Sequence, residues 1–136
     1  MKDAADYLAH IKALIVVNPQ VVHWRVVREE VQGNTGLFRY WLTLHGGGLL
    51  EMFERFQVVE KGLQVAKYSF HWQDGAGQLR KRWDNAAHHP ELATHPHHIH
   101  DGAEVNVLPH EPIGAEEVLA IIAAEGTDRE SQSEHE

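Results

Sequence analysis

The chain has 136 residues, 43% of them apolar, no cysteine and a formal net charge of −8. That length suits one domain with a hydrophobic core and is too short for two of ordinary size. The lack of cysteine excludes a disulfide framework and a thiolate metal site, and the acidic balance speaks against a surface built broadly for nucleic-acid backbone.

Asp3 is placed to cap a first helix whose Leu8, Ile11, Leu14 and Ile15 share one face, and Asn18-Pro19 ends it. The apolar run Ala13 to Val17, preceded by Asp3 and Asp6, is too short and too acidic for a signal peptide or a membrane span, so a cytoplasmic protein with no membrane partner is expected. The period then changes to two. Val22, Trp24 and Val26 alternate with His23 and Arg25, and Gly33-Asn34-Thr35-Gly36 turns the chain into a second strand, Leu37 to His45, where Phe38, Tyr40, Leu42 and Leu44 share a face. Gly46-Gly47-Gly48 has no GK[ST] after it and reads as a hairpin turn rather than a phosphate cradle. A third strand spans Leu49 to Glu60, a fourth Leu63 to Gln73 and a fifth Gln78 to Asp84, joined by turns too short for crossovers.

Residues 85 to 112 carry four prolines and are expected to be irregular. Glu116 and Glu117 favour the start of a C-terminal helix that buries Val118, Leu119, Ile121 and Ile122 and stops at Gly126. The expected fold is α+β: an antiparallel β-meander of about five strands with an N-terminal and a C-terminal helix on one sheet face, as a single domain over residues 1–124. Residues 125–136 hold five acids against one arginine and read as an acidic, disordered tail.

In the fourth strand Lys67, Ser69 and His71 point away from Tyr68, Phe70 and Trp72. With Gln73 opposite Gln78, His71 would face Arg80, Ser69 would face Arg82 and Lys67 would face Asp84, all on one polar side. Beyond Asp84 comes HHPELATHPHHIH, residues 88 to 100, in which six of thirteen positions are histidine. Three uses compete for them. His98 and His100, at i and i+2, project to one side if extended, and with His71, His88 or Asp84 they would make a zinc or manganese site, although the spacing matches no diagnostic metal motif. Without any cofactor, His71, His89, His98 and His100 would supply the acid and base, and Arg80 and Arg82 the cations, for RNA cleavage through its own 2′-hydroxyl. In the third, the histidines belong to a solvated polar loop.

The runs YSFHWQ (68–73), RWDNAAHHPEL (82–92) and HPHHIH (95–100), with the closing EPIGAEEVLAII (111–122), resemble the TumE family of small bacterial and archaeal toxins over about residues 20 to 124. The chain departs from that pattern at Ala87 or its neighbour, where the family often has proline, and at Ile99, where it often has a basic residue. The resemblance implies a toxin paired with an antitoxin of helix-turn-helix type, with RNA as the expected substrate. Carried over residue by residue, it marks Tyr68, His71, Arg82, Asp84, Asn85, His88, His89, His97, His98 and His100. The expected catalytic set is His71, Arg80, Arg82, Asp84, His88, His89, His98 and His100. Within it His98 and His100 are acid and base, Arg82 is the phosphate clamp, Asp84 orients an imidazole or ligates a metal, and His71 is a third participant. No cofactor is required in this ribonuclease reading. A metal-dependent hydrolase and a non-catalytic metal- or partner-binding module are the alternatives, and the oligomeric state is open.

Overall fold

The computed structural model describes residues 1–134, with side chains described through Glu125. The Asp3 carboxylate accepts from the Asp6 N–H at 2.9 Å, and helix α1 runs Ala4–Val17, burying Tyr7, Leu8, Ile11 and Ile15. Asn18 leaves helical geometry just before Pro19, whose ring disfavours a helical predecessor.

Strands β1 (Val21–Gln32), β2 (Thr35–Leu44), β3 (Leu49–Val59), β4 (Gly62–Gln73), β5 (Leu79–Asp84), β6 (His98–Asp101) and β7 (Val107–Pro109) form one antiparallel sheet in chain order. The sheet thus has seven strands, not about five, and both additions come from the segment expected to be irregular. β6 is four residues long, too short for its alternation to register: Ile99 enters the core while His98 and His100 face the other side. Pro109 is tolerated because β7 is an edge strand, where a missing N–H breaks no ladder.

Helix α2 runs Ala115–Glu134 and passes through Gly126, where a stop was expected. A glycine inside a helix costs only about 1 kcal/mol relative to alanine and does not end it unaided. The boundary expected at residue 124 therefore falls within α2, and the segment read as a tail is helical to Glu134, with residues 135 and 136 outside those described. No helix among the described residues is long and apolar enough to cross a membrane.

Both helices pack on one sheet face, against Phe38, Tyr40, Leu42, Leu50, Met52, Phe56, Phe70 and Trp83. Asn18 joins them, its Nδ2 donating to the Leu119 carbonyl at 3.0 Å. Within this core lies a carboxylate. Glu54 is 0% exposed; it accepts from the Tyr7 hydroxyl and, at 3.1 Å, from the Ala115 N–H, so it ties α1 and the first turn of α2 to β3. Burial pushes its carboxyl up to about 7, opposed by those two hydrogen bonds and aided by the charge of Glu117.

The β4–β5 register differs from expectation by two residues. Asp74 Oδ1 accepts from Ala76 and Gln78 N–H, and the Asp74 N–H donates to the Gln78 carbonyl, so the turn closes one residue later and sets Gln73 opposite Leu79. A bulge at Arg80 then adds a second step, leaving His71 opposite Arg82 and Ser69 opposite Asp84. Two single slips restore parity. Arg82 and Asp84 keep the polar side, while their partners change.

Candidate active site

The face without helices is where the expected polar residues meet. Cross-strand pairing sets out two rows, Trp41–Glu51–His71–Arg82–His100 and Arg39–Phe53–Ser69–Asp84–His98. Since directly opposed residues share a side, the open face carries Arg25, Arg28, Arg39, Arg55, Lys67 and Arg82 against Glu30, Glu51 and Asp84. The acidic chain thus presents strands with more cations than acids on this face, while Glu91 and Glu104 stand beside the histidines themselves. Two arginines there cover aromatic rings, Arg25 over Trp41 at 4.4 Å and Arg39 over Phe53 at 4.7 Å.

At one end of this face Asp84 sits beneath the histidines, only 4% exposed. Its Oδ1 accepts from the Ala86 N–H at 3.0 Å and lies 3.0 Å from His98 Nε2. Its Oδ2 lies 3.3 Å from Arg82 Nε and 3.8 Å from His100 Nε2. Arg82 also reaches toward Glu104, 3.8 Å away, and its Nε makes no hydrogen bond of good geometry. The His98 and His100 rings stand edge to face with centroids 5.0 Å apart.

The loop between β5 and β6 brings in the third ring. Asn85 anchors its start, accepting from the Tyr68 N–H and donating to the Ala66 carbonyl, as a turn residue should. Thr94 holds its far end, donating to the His97 carbonyl and accepting from the His110 N–H. Between these ties His89 lies against His98 and His100, at 5.0 and 6.1 Å between centroids. Its Nδ1 donates to the Glu91 carboxylate at 3.2 Å. Glu91's own backbone N–H, and then the His89 ring, hold that carboxyl below the ordinary range.

The eight expected residues therefore divide. Arg82, Asp84, His89, His98 and His100 come together. His88 does not, because at the loop tip its side chain is exposed. Arg80 does not, because the bulge sends its guanidinium 4.3 Å over the core ring of Trp72 and toward Glu125 of α2, on the helix-covered side. His71 shares the face and the row of Arg82, but its ring hydrogen-bonds Gln73 at 3.2 Å and is not part of the histidine group. Among the family-motif residues, His97 turns to the core side and meets the Tyr68 hydroxyl at 2.9 Å, while burial pushes that phenol up to about 12.

Sequence reasoning did not identify Glu104, Glu91 or the Pro96 carbonyl, which hold the rings from behind. Backbone carbonyls leave no mark in side-chain spacing. Trp41 and Phe53 were within reach, since β2 alternation already places Trp41 opposite to Tyr40 and Leu42.

No curated protein and no solved structure matches the chain. The family described as Toxin TumE matches over residues 11–130, which takes in both termini of the sheet and all of the histidine segment. Most of the chain is covered, and the protein belongs to the Toxin TumE family.

Proposed function

We propose that this toxin cleaves RNA at the centre formed by Asp84, His89, His98, His100 and Arg82, and that an antitoxin of helix-turn-helix type restrains it. The observation that carries the reading is the convergence of three imidazoles and a carboxylate beside an arginine, on a face with more cations than acids. Phosphodiester cleavage needs groups that move protons and a cation against the phosphorane oxygens. His100 and His89 are the better placed for the substrate, with side chains 11% and 28% exposed against 3% for His98. His98, expected as acid or base, serves in this reading as a buried support for the centre. The rest of the face suits a single strand, with arginines for phosphates and the Arg25 guanidinium, backed by the Trp41 ring, as a flat surface for a base.

Induced expression in a bacterium, followed by electrophoresis of total RNA, tests this reading. Wild type is expected to stop growth and leave discrete RNA fragments, and Arg82→Ala and His100→Ala to do neither while remaining folded. Intact RNA in arrested wild-type cells, together with no cleavage by the purified protein, would remove the ribonuclease reading.

A further inference from the structure

Each of the three clustered rings has its Nδ1 committed to an oxygen that can only accept: His89 to the Glu91 carboxylate (3.2 Å), His98 to the Pro96 carbonyl (3.0 Å) and His100 to the Glu104 carbonyl (2.7 Å). In a neutral ring so held, the proton is on Nδ1 and the lone pair on Nε2. One ring nitrogen from each residue lies within 4.8 Å of the other two. His98 Nε2 is, in addition, 3.0 Å from the Asp84 carboxylate. Lone pairs and a carboxylate facing a common space repel one another unless a proton or a metal ion lies between them, and one proton on His98 Nε2 would leave the other two lone pairs unmet. An oxygen acceptor behind the ring is also what fixes the orientation of metal-ligating histidines.

We propose that His89, His98 and His100 bind a divalent zinc ion through Nε2, with the fourth position open to water or a phosphate oxygen. Imidazole nitrogens suit zinc, whereas manganese prefers carboxylate and water oxygens. Asp84 is placed to accept from a water on the ion, because its oxygens already engage the Ala86 N–H and lie beside Arg82. Three protein ligands and an open position are the pattern of catalytic zinc rather than of a closed structural site. The approach is from the His89 side, where the ring is least covered. Zinc binding stands on this geometry alone; its use rests on the ribonuclease reading above, in which, with the metal bound, His89 and His100 would hold the ion, and a water on it, beside Asp84, would take over the proton transfer.

The full chain, stripped with chelator, is titrated with zinc chloride by calorimetry. One saturable equivalent is expected, with a rise in melting temperature. Cobalt in place of zinc is expected to give the visible absorption of a tetrahedral nitrogen and oxygen site. His89→Ala and His100→Gln should each weaken zinc at least tenfold and abolish the cobalt spectrum, whereas His88→Ala and His95→Ala, exposed and outside the group, should bind as wild type does. If His100→Gln does not fold, the partly exposed His89 decides the matter alone. Folded wild type that takes up no equivalent of zinc, or His89→Ala that binds zinc undiminished, overturns the proposal. RNA cleavage is measured in parallel. Zinc uptake without cleavage sustains the site and removes the ribonuclease, while cleavage by a chain that binds no zinc does the reverse.

Discussion

Asp84 on β5 and His98 on β6 are direct cross-strand partners, and the pairing places the carboxylate 3.0 Å from the ring's Nε2 while Nδ1 is held by the Pro96 carbonyl. The sheet ladder sets the two side chains side by side, and the two ends of the loop orient them, Ala86 at the carboxylate and Pro96 at the ring. The centre is built on the strand pair, and His89 is the one ring of the three that the loop delivers.

Asp84→Asn keeps the acceptor for the Ala86 N–H but removes the charge between Arg82 and the two rings. It is expected to lower unfolding free energy by about 1–3 kcal/mol, the scale for a buried polar group that loses its partner. Growth arrest is expected to disappear. Urea unfolding and induced growth curves measure the two effects, and an Asn variant as toxic as wild type would show that the carboxylate has no part in the activity.

Arg80 and Arg82 are two residues apart and differ in every contact. Arg82→Ala should reduce RNA cleavage by about 100-fold or more, the usual scale for removing a donor aimed at developing anionic charge. Arg80→Ala should leave cleavage intact and cost about 0.5–1 kcal/mol from its contact over Trp72. Single-turnover rates for the pair provide the comparison, and equal losses would contradict the bulge.

The cationic face predicts a salt-dependent affinity for single-stranded RNA. Arg55 and Lys67 are exposed cross-strand partners away from the histidines. Arg55→Ala or Lys67→Ala should each weaken binding across sequences and reduce the slope of log K against log salt by about 0.7. Fluorescence anisotropy over a salt series measures it, and an unchanged slope in both variants would place the RNA elsewhere.

Glu54 ties stability to pH. In the unfolded chain its carboxyl has the ordinary value of 4.5, and in the core it is raised to about 7 by burial, with Glu117 adding to this and Tyr7 and the Ala115 N–H opposing. Between those values the folded state holds a proton that the unfolded state has released, so this group's contribution is full below pH 4.5, falls as pH rises through about 7, and then levels off. Glu54→Gln removes that slope. Its stability relative to wild type should therefore rise between about pH 5 and about pH 8. Urea midpoints at a series of pH values check this, and a difference that stays constant across the range would mean that Glu54 is ionised throughout.

Much of the sheet was legible because alternation is a local property. Phe38, Tyr40, Leu42, Tyr68, Phe70 and Trp72 all lie on the core face, as their spacing indicates. Asp3 and Asn18 bracket α1 for equally local reasons. β6 and β7 were missed because a His-Ile-His alternation just after Pro96, and a three-residue strand ending in Pro109, carry too few apolar positions to signal strands. Glu54 was missed because nothing in LEMFERF distinguishes a carboxylate facing a helix start from one facing water.

The sequence by itself determined the core side of the long regular stretches of β2, β3 and β4, the antiparallel order of the first five strands, and the residue types available for chemistry, since all three follow from period, turn length and composition. Only the tertiary structure decided which of those residues meet. The Asp74 turn and the Arg80 bulge set who faces whom, and the ties at Asn85 and Thr94 bring His89 inward while leaving His88 outside. Those outcomes depend on which partner each turn and loop residue engages, locally at Asp74 and across strands at Asn85 and Thr94, and side-chain spacing contains no record of that choice.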